Sequence, residues 1–198
     1  KIDIVEIDFL DDPEKQKVPT DIDAAYYLIH SMTSSVTDFD EKEAQAAKNF
    51  NTILENTQCK QVIYLSGIVN DKELSKHLSS RKNKGSFDLT VLRAGIIVGS
   101  GSSSFEIIRD LCEKLPVMIT PKWVLTKTQP IAIRDVIQFL TQVLGNKDTY
   151  DQSFDIGGPD ILTYKDMLHR YAKVRGFKNW IFTVPVMTPK LSSYWLYF

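Results

Sequence analysis

The sequence predicts an α/β fold: a Rossmann-type, doubly wound parallel sheet with a small C-terminal lobe. Two observations carry that expectation. Short apolar runs of strand length alternate with longer segments of helical periodicity, with no internal repeat and no low-complexity linker. Several of those runs are nearly continuous in apolar residues, as strands are when helices cover both faces of a parallel sheet. Crossovers between such strands are right-handed.

Taken in order, Ile2-Asp3-Ile4-Val5-Glu6-Ile7-Asp8-Phe9 alternates apolar and charged residues and predicts a strand, ended by Asp11-Asp12-Pro13. Ala24-Ala25-Tyr26-Tyr27-Leu28-Ile29 predicts a strand buried on both faces. Apolar positions Ala44, Ala47, Phe50, Ile53 and Leu54 predict a helix from about Asp40 to Asn56. Gln61 to Gly67 and Leu89 to Arg93 predict two further buried strands, and Phe105 to Leu115 and Ile133 to Leu144 two helices. Asp135 in the first turn of the second of these suits the helix dipole. Phe154-Asp155-Ile156 predicts a strand, closed by the tight turn Gly157-Gly158-Pro159-Asp160, where glycine supplies backbone freedom and proline stops pairing. Thr163 caps a last helix from Tyr164 to about Val174, and Gly176 ends it. Residues 1–115 then form part of the sheet domain, and 116–198 mainly the lobe, interleaved with the sheet core.

Composition narrows the function classes. Of 198 residues, 43% are apolar and 25% charged, the balance of a globular domain, and the formal net charge of −1 leaves no global signature of nucleic-acid or anionic-membrane binding. Basic clusters such as Arg81-Lys82-Asn83-Lys84 read as a solvated face. No apolar run reaches the ~20 residues of a membrane helix. Cys59 and Cys112 form no disulfide framework, zinc spacing or redox pair, which fits a reducing compartment, the cytoplasm.

Ligands of doubly wound sheets sit outside the carboxyl ends of the strands, and four predicted ends carry usable groups. Asp8 closes the first, from which a carboxylate can accept a bond from an adenine amino group; a turn aspartate is the alternative. His30 and Ser31 follow the second and can line a ribose and pyrophosphate. Ser66 closes the third, where a hydroxyl can bond a substrate carbonyl. Around Ala94, Gly95 and Ile96 the fourth offers close backbone approach and an apolar surface for a flat ring.

The phrases Asp23 to Met32, Leu92 to Gly101, Gln129 to Val136, Phe154 to Tyr164 and Ser192-Ser193-Tyr194-Trp195 resemble atypical and extended short-chain dehydrogenases of nucleoside-diphosphate-sugar epimerase-like type. The resemblance implies a Rossmann sheet that binds NAD or NADP, a substrate cleft under the lobe, and reversible hydride transfer at the nicotinamide. In that family a Tyr-x-x-x-Lys pair follows the serine, but here residues 71–83 hold no tyrosine, and His77 and Arg81 stand at its spacing. The resemblance therefore implies catalytic roles for Ser66, His77 and Arg81, with a polar surface helix as the alternative for the last two. Asp8, His30, Ser31 and the backbone from Ala94 to Ile96 are its cofactor contacts. Trp123, Gln129 and Arg134 of the lobe are candidates to face substrate, each with a structural role as the alternative. A relative that keeps the pocket but loses the tyrosine can also act as a non-catalytic NAD(P)H sensor or assembly factor. Members of the family begin with a strand, a glycine-rich turn and a helix whose amino terminus holds the pyrophosphate. No segment here supplies that turn. The resemblance thus implies further residues before Lys1, between Asn83 and Lys84, and after Phe198, and leaves the choice between NAD and NADP unread.

Overall fold

Strand β2 (Gln61–Gly67) is apolar nearly throughout because neighbours flank it on both edges and helices cover both faces. The computed structural model describes residues 2–29, 36–68, 78 and 87–184, with side chains of the first helix from residue 42 onward. Its largest sheet is parallel, in the order β1-β2-β3-β8, with β1 at Ala24–Tyr27, β3 at Asp88–Ala94 and β8 at Ser153–Ile156. The register pairs Tyr27 with Tyr64, Gly67 with Ala94 and Ala94 with Ile156. The last three residues therefore form one row at the carboxyl-terminal rim.

The chain divides into two compact units, Lys1–Ala94 with Gln138–Ile156, and Gly95–Ile137 with Gly157–Phe198. In the first unit, helix α1 (Val36–Leu54) lays Ala47, Phe50 and Leu54 over Tyr27, Val62, Tyr64 and Val91. Tyr27 meets Phe50 edge-on at 4.9 Å between ring centres, a favoured aromatic geometry. The opposite face meets the end of helix α3 (Ile133–Val143). There the Tyr26 hydroxyl donates to Leu140 O at 3.0 Å. The buried Gln61 amide donates to Val143 O at 2.9 Å and to Thr90 Oγ1 at 3.0 Å, and its oxygen accepts from Gly145 N at 2.8 Å. Helices on both faces make the sheet doubly wound.

The second unit is built on three short ladders. β4 (Ile97–Val98) pairs in parallel with β7 (Ile131–Ala132), β5 (Val117–Pro121) with β10 (Trp180–Val184), and β6 (Lys127–Thr128) runs antiparallel to β9 (Leu162–Thr163). Helices α2 (Ser103–Lys114) and α4 (Tyr164–Arg175) bury Ile108, Cys112, Met167, Leu168 and Ala172 with Met118 and Ile181. Thr163 caps α4 through a capping box with Asp166, and Gly176 ends it in the left-handed conformation at φ 76°.

Two expectations need correction. Residues 2–8 form no strand: Ile2 and Ile4 are 91% and 94% exposed, and an alternating pattern becomes a strand only where a neighbour satisfies its backbone. β1 is not buried on both faces, since Tyr26 on one of them is 38% exposed and Leu28, past the strand's end, is 53% exposed. Both cysteines are free and buried. Among the described residues no helix is long and apolar enough to cross a membrane, and no group of acidic, histidine or cysteine side chains could hold a metal ion.

Candidate functional site

The carboxyl-terminal rim of the first unit's sheet is the candidate site. A parallel sheet directs every strand's last residue toward the same rim, so Ser66 and Gly67 of β2, Arg93 and Ala94 of β3, and Asp155 and Ile156 of β8 stand side by side. Ser66 is buried, and its hydroxyl donates to Gly67 O at 3.1 Å. Among the described residues, and apart from its chain neighbours, no atom lies within 4 Å of the point where a side chain on Gly67 would begin. Ala94 is buried beneath the rim. Arg93 Nε donates to Asp155 Oδ1 at 2.6 Å, joining two strand ends by a charge-assisted bond.

Asp8 sits in a turn, where its Oδ1 accepts from Leu10 N at 2.8 Å and its carbonyl accepts from Asp11 N at 3.2 Å. His30, Ser31, His77 and Arg81 lie outside the described residues. Past Ala94 the chain enters the second unit, where Gly95 is half-buried and Ile96 O accepts from Ile131 N at 2.9 Å.

The three lobe candidates all have partners within the second unit. Trp123 is 60% exposed and meets the Tyr164 ring edge-on at 5.5 Å. Gln129 Nε2 donates to Gly158 O at 2.6 Å, tying down the glycine turn. Arg134 lies exposed on the first turn of α3 and pairs with Asp135 at 3.1 Å. Neither Gly157 nor Gly158 needs the left-handed region that the turn's composition suggests, since both have ordinary φ. They are glycines because other atoms come close: a Cβ on Gly157 would meet Gln129 Cδ at 2.8 Å, and one on Gly158 would meet Pro130 O at 2.3 Å.

Sequence reasoning missed two features. Gln61 reads as one polar residue in an apolar strand, and its three bonds reach residues 29 to 84 positions away, which no local pattern encodes. Asp160 and Arg170 form a 2.6 Å ion pair across ten residues, and Asp160 lies in the turn before α4, outside its helical period.

The fold is similar to that of solved nucleotide-sugar epimerases and of a short-chain dehydrogenase/reductase superfamily protein. UDP-glucuronic acid 4-epimerase from Bacillus cereus, solved in complex with NAD, is 14% identical with a TM-score of 0.72, over 90% of this chain and 68% of that one. A short-chain dehydrogenase/reductase superfamily protein from Agrobacterium tumefaciens with bound NAD is 11% identical with a TM-score of 0.62, over 83% and 68%. Pal from Bacillus thuringiensis is 11% identical with a TM-score of 0.66, over 87% and 65%. The chain thus spans about two thirds of the length of these structures. No protein-family model matches it, and no curated protein does.

Proposed function

We propose that the protein binds NAD or NADP at the carboxyl-terminal rim of its parallel sheet and uses it for epimerase- or dehydratase-like hydride chemistry on a small substrate. The observation that carries this reading is the row of strand ends at Gly67, Ala94 and Ile156, where none of the described residues beyond its chain neighbours crowds Gly67. Dinucleotides bind at such a rim in doubly wound sheets, and two structures of similar fold hold NAD. The described residues fit the group, because a glycine at a strand end admits a flat ring that a side chain would exclude.

The bound nicotinamide supplies a hydride acceptor at its C4. His77 would hold the proton of a substrate hydroxyl as general base and return it as general acid in the reverse direction. Ser66 turns its hydroxyl from Gly67 O to a substrate carbonyl. Arg81 holds ribose hydroxyls as a permanent cation, a role in which it is not equivalent to lysine. Asp8, His30, Ser31 and the backbone of Ala94, Gly95 and Ile96 contact the cofactor, and Trp123, Gln129 and Arg134 face substrate. In this reading residues 1–115 contribute to the dinucleotide half and 116–198 mainly to the substrate lobe, in a reducing, cytoplasmic setting.

A second reading has a specific observation in its favour. With no tyrosine between residues 71 and 83, the chain is suited to sensing NAD(P)H or to assembly, with no chemistry. The two separate in one experiment: the protein with NAD or NADP and a panel of nucleotide-sugars, read by absorbance at 340 nm and by NMR of the sugar. The enzyme reading expects turnover that falls by ~100-fold or more in His77→Ala, the scale of a lost general base, with NADH affinity unchanged. Cofactor binding with no turnover on any member of the panel would support the sensor.

A further inference from the structure

The second unit contains a cavity of about 320 Å³ that none of the cofactor or substrate candidates lines. Phe105 and Ile108 of α2, Ile131 of β7, and Met167 and Val174 of α4 make its walls apolar. The Phe105 and Tyr171 rings meet edge-on at 5.7 Å, which fixes part of the wall in advance of any ligand. The polar groups are confined to Asp160, Arg170 and Tyr171.

We infer that this cavity binds a small neutral molecule, a single apolar ring or branched chain bearing an amide-like head that both donates and accepts hydrogen bonds. Size sets the body, because the volume lies at the lower end of the ~300–1,000 Å³ of small-molecule sites. Charge sets the head. Arg170 Nη1 donates to Asp160 Oδ2 at 2.6 Å, so the two charges at the cavity cancel. The pair offers donors in the Arg170 guanidinium and acceptors in the Asp160 carboxylate, which an amide head complements on both sides. An anionic or cationic head meets a like charge in one member of the pair. The Tyr171 hydroxyl proton is already given to Glu113 Oε1 at 2.7 Å, so tyrosine presents only lone pairs to a ligand.

The inference does not depend on dinucleotide binding, and its test leaves the cofactor out. Protein labelled with ¹³C at methionine methyls is titrated with phenylacetamide, phenylacetate and phenethylammonium, three probes with one body and three heads. Met167 lines the cavity, and Met118, buried in the same core, reports on the fold. The expected result is a saturable shift at Met167 with phenylacetamide, at least threefold tighter than with either ion, and a nearly fixed Met118 signal. Asp160→Asn should make phenylacetate the tightest probe, and Arg170→Gln should do the same for phenethylammonium. Val174→Trp, at an 84% exposed position, should weaken all three. No saturable shift at Met167, or one unchanged ranking in both charge variants with Met118 in place, overturns the inference.

Discussion

Adding one methyl group at each of two adjacent glycines should have opposite consequences. At Gly158 a Cβ would lie 2.3 Å from Pro130 O, a backbone atom that cannot swing aside, and Gly158 N donates to that same oxygen at 3.0 Å. Relief requires the turn to move, which sacrifices a hydrogen bond worth ~1 kcal/mol and adds an overpacking cost of ~1–3 kcal/mol. Less the ~0.4–1 kcal/mol that any glycine-to-alanine change gains from the reduced freedom of the unfolded chain, the net cost is about 1–3.6 kcal/mol. At Gly157 the nearest atoms, at 2.8 and 2.9 Å, belong to the flexible Gln129 side chain. Its displacement loses the bond to Gly158 O, again ~1 kcal/mol, offset by ~0.4–1 kcal/mol from the reduced freedom of the unfolded chain. A chain of this length shifts its melting temperature by ~2–4 °C per kcal/mol. Gly158→Ala should therefore melt ~2–14 °C below the parent and Gly157→Ala within ~2 °C, by circular dichroism. With Gln129→Ala already in place, Gly157→Ala should become stabilising. A Gly158→Ala protein that melts within ~1 °C of the parent, or that is the more stable of the two, would refute the claim that close approach dictates these glycines.

Gln61→Leu removes the buried amide that donates to Val143 O and Thr90 Oγ1 and accepts from Gly145 N, and should cost ~1–3 kcal/mol in urea unfolding, the scale of the lost hydrogen bonds; an unchanged midpoint would show the bonds to be dispensable. Thr163→Ala removes the α4 cap at a cost of ~1 kcal/mol at pH 7. The bonds from Thr163 hold the Asp166 carboxyl below its ordinary range, so the carboxylate's share of the cap is present above ~pH 3.9 and fades as acid protonates the folded carboxylate; the gap between variant and parent should narrow at low pH, leaving the bond from Asp166 N to Thr163 Oγ1. Burial pushes the Cys112 thiol up to about 11 and raises Cys59 as well. Stability from the neutral thiols is whole below the unfolded pKa of ~8.5 and is lost as pH rises toward the folded values. Both cysteines should resist a thiol reagent at pH 8 until the protein is unfolded.

The sheet core was legible because its code is local: Gln61–Gly67 and the helices around Phe105, Ile133 and Tyr164 form within one or two residues of the lengths their apolar spacing and caps dictate. The segment 2–8 misled because alternation specifies which face is apolar and does not supply a partner strand. The glycine turn was legible as a turn and misread in cause, since only the fold brings Gln129 and Pro130 against it. Of the site, Ser66 and Ala94 stand at strand ends as their sequence positions implied. The lack of crowding at Gly67 among the described residues and the Asp160–Arg170 pair depend on contacts across many residues and left no periodic trace.

Dinucleotide binding at the rim is the central claim, and a fluorescence titration with NADH and NADPH on the parent and on Gly67→Trp tests it most directly. Among the described residues nothing beyond its chain neighbours lies within 4 Å of a Cβ at that position, so the indole occupies the place assigned to the cofactor. The account predicts saturable binding of one or both dinucleotides by the parent and at least a tenfold loss in the variant at unchanged melting temperature. Absence of saturable binding in the parent, or equal binding by a folded Gly67→Trp protein, would contradict it.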